Sequence, residues 1–319
     1  MKRLPLALAA AALCASVAIA KDFPAKPVTL IVPYPPGGSN DTFARELGRK
    51  LGDAWNMPVI VDNRPGAGGS IGAAAVSKAA PDGYTLCLLS SSFATNAAIQ
   101  TNLPFDPIAG FSPVAIVARG PMLLTVANHV PAHTTLELFD LARRNPGKLN
   151  YASSGQGSTN HFATELLMDA AQIRMTHVPY KGMSPAVTDV IGGHVDVLIA
   201  SAPSIYQQVK AGKVRGIGVT SKGPSAVVPD LHSIAEMGLP GYSFELWWGM
   251  LAPPGMPAEL VAKINADVNR ILATPEMKEA FLREGAEPVI MTPAQFANTI
   301  RDEIANWKKV AKRANIKAE

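Results

Sequence analysis

Apolar residues along this chain form short uninterrupted runs, and longer segments of helical periodicity separate them. The clearest run spans residues 28–34 and has no polar alternation, as expected of a strand buried on both faces of a parallel sheet. It leads through Pro-Pro-Gly-Gly into a helix that Ser39 or Asn40 can cap. Glycine has no side chain, and the first amides of a helix have no intrahelical acceptor. This junction therefore predicts an anion site above the strand end.

The chain repeats this arrangement in its second half. Residues 149–166 again contain a strand, a loop of small residues and a helix start, and residues 43–47 and 162–166 share the pattern FAxEL. The repeat predicts two similar α/β lobes. If their two loops face one another, they can hold both ends of a small anionic molecule.

The remaining pattern continues the alternation of strands and helices. It predicts further strands at residues 58–63, 85–91, 113–127, 175–180, 195–201, 214–220 and 244–252. It predicts further helices at residues 71–80, 94–99, 135–145, 185–191, 205–211, 257–273, 276–284 and 293–314. Such alternation is typical of doubly wound, mostly parallel sheets, whose ligands bind outside the carboxyl ends of the strands. The loops after Tyr34, Asn63 and Ser90 should therefore share one rim.

The segment at residues 113–127 is broken by Gly120-Pro121, where we expect the chain to cross into the second lobe. This predicts a first lobe at residues 21–120, a second lobe at 121–222, and a return to the first lobe with C-terminal helices at 223–319. A lobe that the chain leaves and re-enters has several connections to its partner, and these can act as a hinge. The last helix has a packing face at helical spacing, formed by Phe296, Ile300, Ile304, Trp307 and Val310.

Residues 1–20 have the features of a cleavable export signal: basic Lys2 and Arg3, an apolar run that is short for a membrane span, and an A-x-A site. Leu13 is bulky where lipoprotein processing at Cys14 requires a small residue. Without the signal, 27 basic residues remain against 25 acidic ones, so the net charge falls from +4 to +2. We expect a soluble exported protein. A nearly neutral chain without a tract of basic and aromatic residues argues against nucleic-acid binding.

The glycine-rich residues 66–72 raise two enzymatic alternatives. As a dinucleotide-binding loop they lack the acidic residue that should end the next strand. Residues 68–72 also match the G-x-S-x-G nucleophile elbow, with Ser70 as nucleophile and Asp196 or Asp230 with His232 as partners. An exported α/β hydrolase is therefore the alternative function. Against the hydrolase, four residues separate Gly68, the first glycine of the motif, from the preceding strand. A tight turn is also the commoner origin of such a glycine pattern.

Other reactive side chains predict no cofactor or metal site. The histidines show no metal-binding spacing, and Cys87, the cysteine that remains after signal removal, lies in an apolar run typical of a core. The sequence leaves open whether His161 forms a wall of the pocket or lies on a solvated surface. The sequence also leaves open whether Lys181, at a strand end on the rim, contacts the bound molecule directly.

Neither predicted anion loop contains arginine, so recognition would depend on backbone N–H groups, water and the hydroxyls of Ser39, Ser154, Ser158 and Thr159. Charge-assisted hydrogen bonds to a carboxylate contribute about 1.5 to 3 kcal/mol each. Three or four of them could support micromolar binding, which needs about 8 kcal/mol. Catalysis is not required to explain these residues.

Six motifs follow the basic start in order: VTLIVPYPPGGSND, VDNRPGAGGSIGA, PDGYTL, HVPYKG, PAVTDVIGGHVDV and LAPPGMP. Together they resemble the Bug family, the periplasmic solute receptors of tripartite tricarboxylate transporters. The resemblance covers essentially the whole chain after residue 20. It implies a Venus-flytrap of the periplasmic-binding-protein type II class without enzymatic activity, which passes its ligand to a membrane permease. Such receptors grip one carboxylate at the loop of residues 34–41 and the other at the loop of residues 153–159.

One departure from the family bears on the ligand. Many members carry an acidic residue after the strand at residues 195–199, where it can pair with an amino group, but this chain has Ala200-Ser201-Ala202. We therefore expect a dicarboxylate or an aromatic carboxylic acid without an amino group. The serines at 90–92 beside Phe93 suit a ligand with a polar end and a flat body.

The resulting prediction is a periplasmic, monomeric receptor of a small organic acid, with a permease as its partner. The predicted ligand-binding residues are Tyr34, Pro36, Gly38, Ser39, Asp41, Ser90, Ser91, Ser92, Ser154, Gly157, Ser158, Thr159, Asn160, Ser201 and Ala202.

Overall fold

The computed structural model describes residues 23–313 and residue 316, and the predicted export signal at residues 1–20 lies outside this part of the chain. The strands are β1 (Val28–Val32), β2 (Val59–Asn63), β3 (Thr85–Ser90), β4 (Ser112–Val126), β5 (Asn150–Ser153), β6 (Thr176–Pro179), β7 (Val197–Ser201), β8 (Arg215–Val219), β9 (Glu245–Ala252) and β10 (Glu287–Pro288). The helices are α1 (Ser39–Trp55), α2 (Ser70–Ser77), α3 (Ser92–Ile99), α4 (Thr135–Arg144), α5 (Thr159–Ala171), α6 (Met183–Gly192), α7 (Ala202–Lys210), α8 (Ala258–Leu272), α9 (Pro275–Arg283) and α10 (Pro293–Arg313).

The long strand β4 joins two groups of strands into one curled sheet. On one side the order is β2-β1-β3-β9-β4, and on the other side it is β6-β5-β7-β4-β8. In each group three parallel strands are followed by an antiparallel one, because β3 pairs antiparallel with β9 and β7 pairs antiparallel with β4. The last strand in each order is antiparallel again. The repeat seen in the sequence therefore extends to the topology of the two halves.

The chain crosses between the halves within β4. Gly120 and Pro121 pair with Leu246 and Glu245 of β9, whereas the following residue, Met122, pairs with Ser201 of β7. The expected interruption at Gly120-Pro121 is thus a change of partners inside one continuous strand. Pairing first with β9 and then with β7 keeps the backbone extended there.

The return crossing runs beside β4. The Phe244 N–H donates to the Thr220 carbonyl at 2.9 Å. The Thr220 hydroxyl accepts from the Met122 N–H at 2.8 Å. Thr220 therefore ties the two connections together at the base of the cleft between the halves.

Alternation along β9 separates two packing layers. Trp247 packs edge-on against Phe296 of α10 at 5.2 Å between ring centroids, while Trp248 packs against Phe43 of α1 at 4.9 Å. Phe296, Ile300 and Ile304 are buried, which confirms the predicted packing face of the last helix. Trp248 consequently lies on the same side of the sheet as the start of α1.

Cys87 is fully buried in β3, and burial raises the pKa of its thiol, so the predicted core position is confirmed. Among the residues that the structure describes, no helix combines the length and the apolarity needed to cross a membrane.

Candidate functional site

A cleft between the two halves of the sheet brings the predicted loops together. Its empty volume is about 470 Å³, counted to its open mouth. Nine residues predicted from the sequence line it: Tyr34, Gly38, Ser39, Ser90, Ser92, Ser154, Thr159, Asn160 and Ser201. Seven further residues complete the lining: Pro35, Asn40, Met122, Met183, Ser204, Leu246 and Trp248. The floor is thus partly apolar, and the two ends are polar.

The loop before α1 is held from outside the cleft. The Asp41 carboxylate accepts from the Gly37 N–H at 3.0 Å, from Asn63 at 3.0 Å and from the Arg45 guanidinium at 2.9 and 3.0 Å. Burial alone would raise the pKa of Asp41, but these hydrogen bonds outweigh it and hold the pKa below its usual value. Asp41 therefore positions the loop and does not line the cavity.

The loop before α5 is held by side chains of its own half. The Gly157 N–H donates to His161 Nδ1 at 3.2 Å, and the Ser158 hydroxyl donates to the Gly155 carbonyl at 2.6 Å. The Ser154 hydroxyl donates to Asn160 Oδ1 at 2.9 Å. This fixes the orientation of the Asn160 amide, whose nitrogen is left without a protein partner.

At the start of each of these two helices, a backbone N–H donates to a serine hydroxyl of the opposite half. The Ser39 N–H at the start of α1 donates to the Ser204 hydroxyl of α7 at 3.3 Å. The Thr159 N–H at the start of α5 donates to the Ser92 hydroxyl of α3 at 3.3 Å. Both helix starts therefore face across the cleft and already bind oxygen atoms from the other half.

The Ser39 hydroxyl is oriented as a donor. It accepts from Trp248 Nε1 at 3.0 Å and from the Ser201 hydroxyl at 3.2 Å. A hydroxyl has two lone pairs and one proton, so with both lone pairs occupied its proton is available to the cavity. On the opposite side, the unpartnered Asn160 Nδ2 belongs to a residue that is only 1% exposed. The two residues that carry these donors come from different halves and line the same cavity.

The cavity contains little charge. Among the described residues that line it, none is an aspartate, glutamate, lysine, arginine or histidine. Burial raises the pKa of Tyr34 to about 12, with hydrogen bonds to Ser90 and Ser92 opposing the effect, so the phenol stays protonated. The Asn40 Oδ1 is also buried without a partner, and it can accept a hydrogen bond from a ligand hydroxyl. Donors without competing carboxylates suit an anion.

Six predicted residues lie near the cleft but outside its lining: Pro36, Asp41, Ser91, Gly157, Ser158 and Ala202. The Pro36 carbonyl accepts from Ser184 of the opposite half at 2.8 Å. Gly157 has φ +75°, and a Cβ there would lie 2.7 Å from Ile99 Cδ1. Phe93 turns away from the cleft and stacks with Phe105 at 6.0 Å, so it offers no flat wall to a ligand.

His161 is neither a cavity wall nor a surface residue. It is buried beneath the second loop, and its ring stacks on His177 at 4.3 Å between centroids. His177 in turn stacks on Tyr151 at 4.8 Å and contacts the Ser153 hydroxyl at 2.6 Å. Burial, and for His161 also the neighbouring His177, lowers the pKa of both imidazoles to about 4. The two rings are therefore neutral supports of the loop.

The residues of the hydrolase alternative do not meet. The Ser70 hydroxyl accepts from Asn96 at 3.2 Å. Asp196 contacts His129 at 3.0 Å, and Asp230 accepts from Tyr206 at 3.2 Å. The glycines before Ser70 adopt positive φ, as in a tight turn. Within residues 23–313, no group of three or more His, Cys, Asp or Glu side chains could hold a metal ion.

Sequence reasoning missed the residues that act through tertiary contacts. Ser204 follows β7 by three positions, and only the closure of the halves brings it to Ser39. Trp248 had a usable signal, because alternation along β9 places it opposite Trp247. Asn63 was placed on the rim, and its amide donates to the Tyr34 carbonyl at 3.1 Å.

Comparisons with known proteins agree with this arrangement. A family model described as "Tripartite tricarboxylate transporter family receptor" matches residues 43–316. Protein BugT of Bordetella pertussis is 35% identical over 312 residues, which cover 97% of this chain and 95% of BugT. Two solved structures extend the likeness to three dimensions. R. palustris Rpa4515 with adipate has a TM-score of 0.90 at 35% identity and covers 92% of this chain and 99% of its own. MatC from Rhodopseudomonas palustris with bound malate has a TM-score of 0.85 at 31% identity and covers 90% of this chain and 99% of its own.

Proposed function

This chain belongs to the tripartite tricarboxylate transporter receptor family, and from that membership we propose that it captures a small carboxylate between its two halves. The solute-receptor class and the two-lobed periplasmic-binding-protein fold are established by the family and its structures. The ligand is a dicarboxylate or an aromatic carboxylic acid without an amino group. The receptor delivers it to a membrane permease, acts as a monomer in the periplasm after removal of residues 1–20, and has no catalytic activity.

The observation that carries the proposal is the pair of oriented donors across the cleft. Ser39 has a free proton because Trp248 and Ser201 occupy its lone pairs. Asn160 Nδ2 is buried and unpartnered. A buried donor without an acceptor costs about 1 to 3 kcal/mol, so a ligand that supplies an oxygen recovers this free energy. A dicarboxylate supplies one such oxygen at each end.

The ligands of two structural neighbours support this chemistry. Rpa4515 is described with adipate and MatC with malate, both of which are dicarboxylates without an amino group. The absence of a carboxylate among the described lining residues agrees with an anionic ligand, since no side chain there would repel it. It also leaves a ligand ammonium group without a counter-charge.

Calorimetry on the chain without residues 1–20 tests the proposal. Malate, succinate and adipate should bind, whereas aspartate and glutamate should bind at least tenfold more weakly. The Ser39→Ala and Asn160→Ala variants should each weaken diacid binding by roughly ten- to a hundredfold, since each removes a hydrogen bond to a charged group worth about 1.5 to 3 kcal/mol.

The matched control is Ser77→Ala, which removes a hydroxyl that donates to the Ala74 carbonyl outside the cleft. This variant should bind diacids as the wild type does. Tight binding of an amino acid by a wild-type protein that ignored diacids would contradict the proposal. Turnover of an ester that Ser70→Ala abolished would instead favour the hydrolase.

A further inference from the structure

Three cavities meet at one side chain. Tyr34 lines the inner cleft, a narrow rear cavity behind it and an outer cavity at the mouth. The inner and rear cavities have no other lining residue in common, so the Tyr34 ring is the wall between them. A side chain in this position decides how much space the ligand can reach.

The ring is held firmly in this position. Gly69 has φ +99°, and a Cβ there would lie 3.2 Å from Cε1 and from the hydroxyl oxygen of Tyr34. Glycine at this position leaves the ring room to lie flat against the backbone. Ser90 and Ser92 lie beside the same hydroxyl and line the cleft with Tyr34. These contacts at the hydroxyl end restrict rotation of the ring and hold it as a wall.

The rear cavity has the chemistry of a hydrocarbon site. Most of its walls are apolar, among them Leu89, Phe93, Ala97 and Phe105. Its polar lining includes Asn96, whose Oδ1 is buried without a partner. An apolar space of this kind would favour an aromatic ring or a branched alkyl group if a ligand could enter it. The inner cleft, by contrast, has polar groups at both ends.

We infer that Tyr34 sets the ligand size limit of this receptor, so that it selects short unbranched diacids and excludes diacids with an aryl or branched substituent. This inference rests on the proposed carboxylate function and narrows it, because it favours the dicarboxylate over the aromatic acid. The phenol ring fills the space that a substituent would need, and the rear cavity lies directly behind it. Tyr34 is therefore a specificity-determining residue.

The test compares succinate with 2-phenylsuccinate by calorimetry in the wild type, Tyr34→Ala and Tyr34→Phe. In Tyr34→Ala the ratio of the phenylsuccinate to the succinate association constant should rise at least tenfold, because the substituent can occupy the vacated ring position. Tyr34→Phe keeps the ring and loses only the hydroxyl, so its ratio should stay within twofold of the wild type. An unchanged ratio in Tyr34→Ala, or an equal change in both variants, would overturn the inference.

Two further measurements separate this inference from the proposed function. Adding Ala97→Leu to Tyr34→Ala fills the rear cavity and should reverse most of the gain for phenylsuccinate; a gain that persisted in full would place the substituent elsewhere. If the wild type bound no diacid, the proposed function would fail. The role of the Tyr34 ring as a wall could still be tested by the binding of 4-fluorophenol, measured by fluorine NMR. Tyr34→Ala should bind this probe, and the wild type and Tyr34→Phe should not. Equal binding of the probe by all three proteins would refute the inference that the Tyr34 ring blocks this space.

Discussion

In the proposed function, recognition at the scale of single residues depends on hydrogen-bond direction more than on charge. Trp248 and Ser201 both donate to Ser39, and this leaves the Ser39 proton available to the cavity. The Ser39 hydroxyl and the Asn160 amide need no formal charge to favour an anion, because buried donors interact strongly in a medium of low dielectric constant. We expect the identity of residue 201 to decide which ligands are compatible with the donors beside it.

Replacing Ser201 with aspartate should reverse the ligand preference. A carboxylate beside Ser39 would repel a diacid and supply a counter-charge for an ammonium group. We expect Ser201→Asp to bind succinate at least tenfold more weakly than the wild type and to gain affinity for aspartate. Calorimetry with both ligands measures the change.

The control is Ser201→Asn, which has nearly the same shape without the charge. It should weaken succinate binding less than Ser201→Asp does and should gain no affinity for aspartate. If the two variants behaved alike, size and not charge would control the preference at this position.

At the scale of elements, the loop between β5 and α5 depends on two neutral histidines. The folded protein keeps His161 and His177 uncharged down to a pKa of about 4, whereas histidines in an unfolded chain titrate near 6.5. Between these values the unfolded chain binds more protons than the folded one. Protonation therefore favours unfolding, and stability falls as the pH drops from about 6.5 to about 4. Above that window the contribution of the two rings is complete.

The double variant His161→Asn/His177→Gln should flatten this dependence. Asparagine retains an acceptor near the position of Nδ1 for the Gly157 N–H, and glutamine retains a polar group near the Ser153 hydroxyl. The free energy of unfolding in urea, measured without ligand between pH 7 and pH 4, should decline less than in the wild type.

Two features make this comparison specific. Burial raises the pKa of Glu165, which acts in the opposite direction, so the informative quantity is the difference between the wild type and the variant. The variant His194→Gln changes an exposed imidazole outside the stack and should keep the wild-type slope. A double variant with the full wild-type slope would show that other groups cause it.

The sequence predicted the elements well because each of them carries its own signal. The helix predicted at residues 135–145 spans Thr135–Arg144 in the structure, and most other elements differ by a few residues at their ends. The short strand β10 was missed, since its two residues carry no periodicity. In the site, glycines and serines next to strand ends marked both loops. Ser204, Met183 and Leu246 had no such signal, because their position in the cleft depends on how the halves meet.

At the scale of the whole molecule, the two halves contact each other across the mouth of the cleft. The Ser184 hydroxyl donates to the Pro36 carbonyl at 2.8 Å, and Ser92 and Thr159 share a hydrogen bond at 3.1 Å. The crossings at β4 and at residues 220–244 lie together at the base. Hydroxyl contacts at the mouth and continuous backbone at the base are the arrangement expected of a hinge. We therefore expect the described structure to be the closed form of the cleft.

Gly182 lies against Pro35 of the opposite half and offers a test of closure. Its φ is +132°, and a Cβ there would lie 2.5 Å from Cγ of Pro35 in the opposite half. Gly182→Ala should hold the halves apart, so that saturating succinate no longer reduces the radius of gyration measured by X-ray scattering and the dissociation constant rises at least tenfold. Gly241→Ala is the matched control, because Gly241 also has a positive φ, +92°, but a Cβ there would meet nothing within 4 Å. It shares the backbone strain and should retain both closure and affinity. If Gly182→Ala still compacted with succinate as the wild type does, contact between Gly182 and Pro35 could not be part of the closed state that binds ligand.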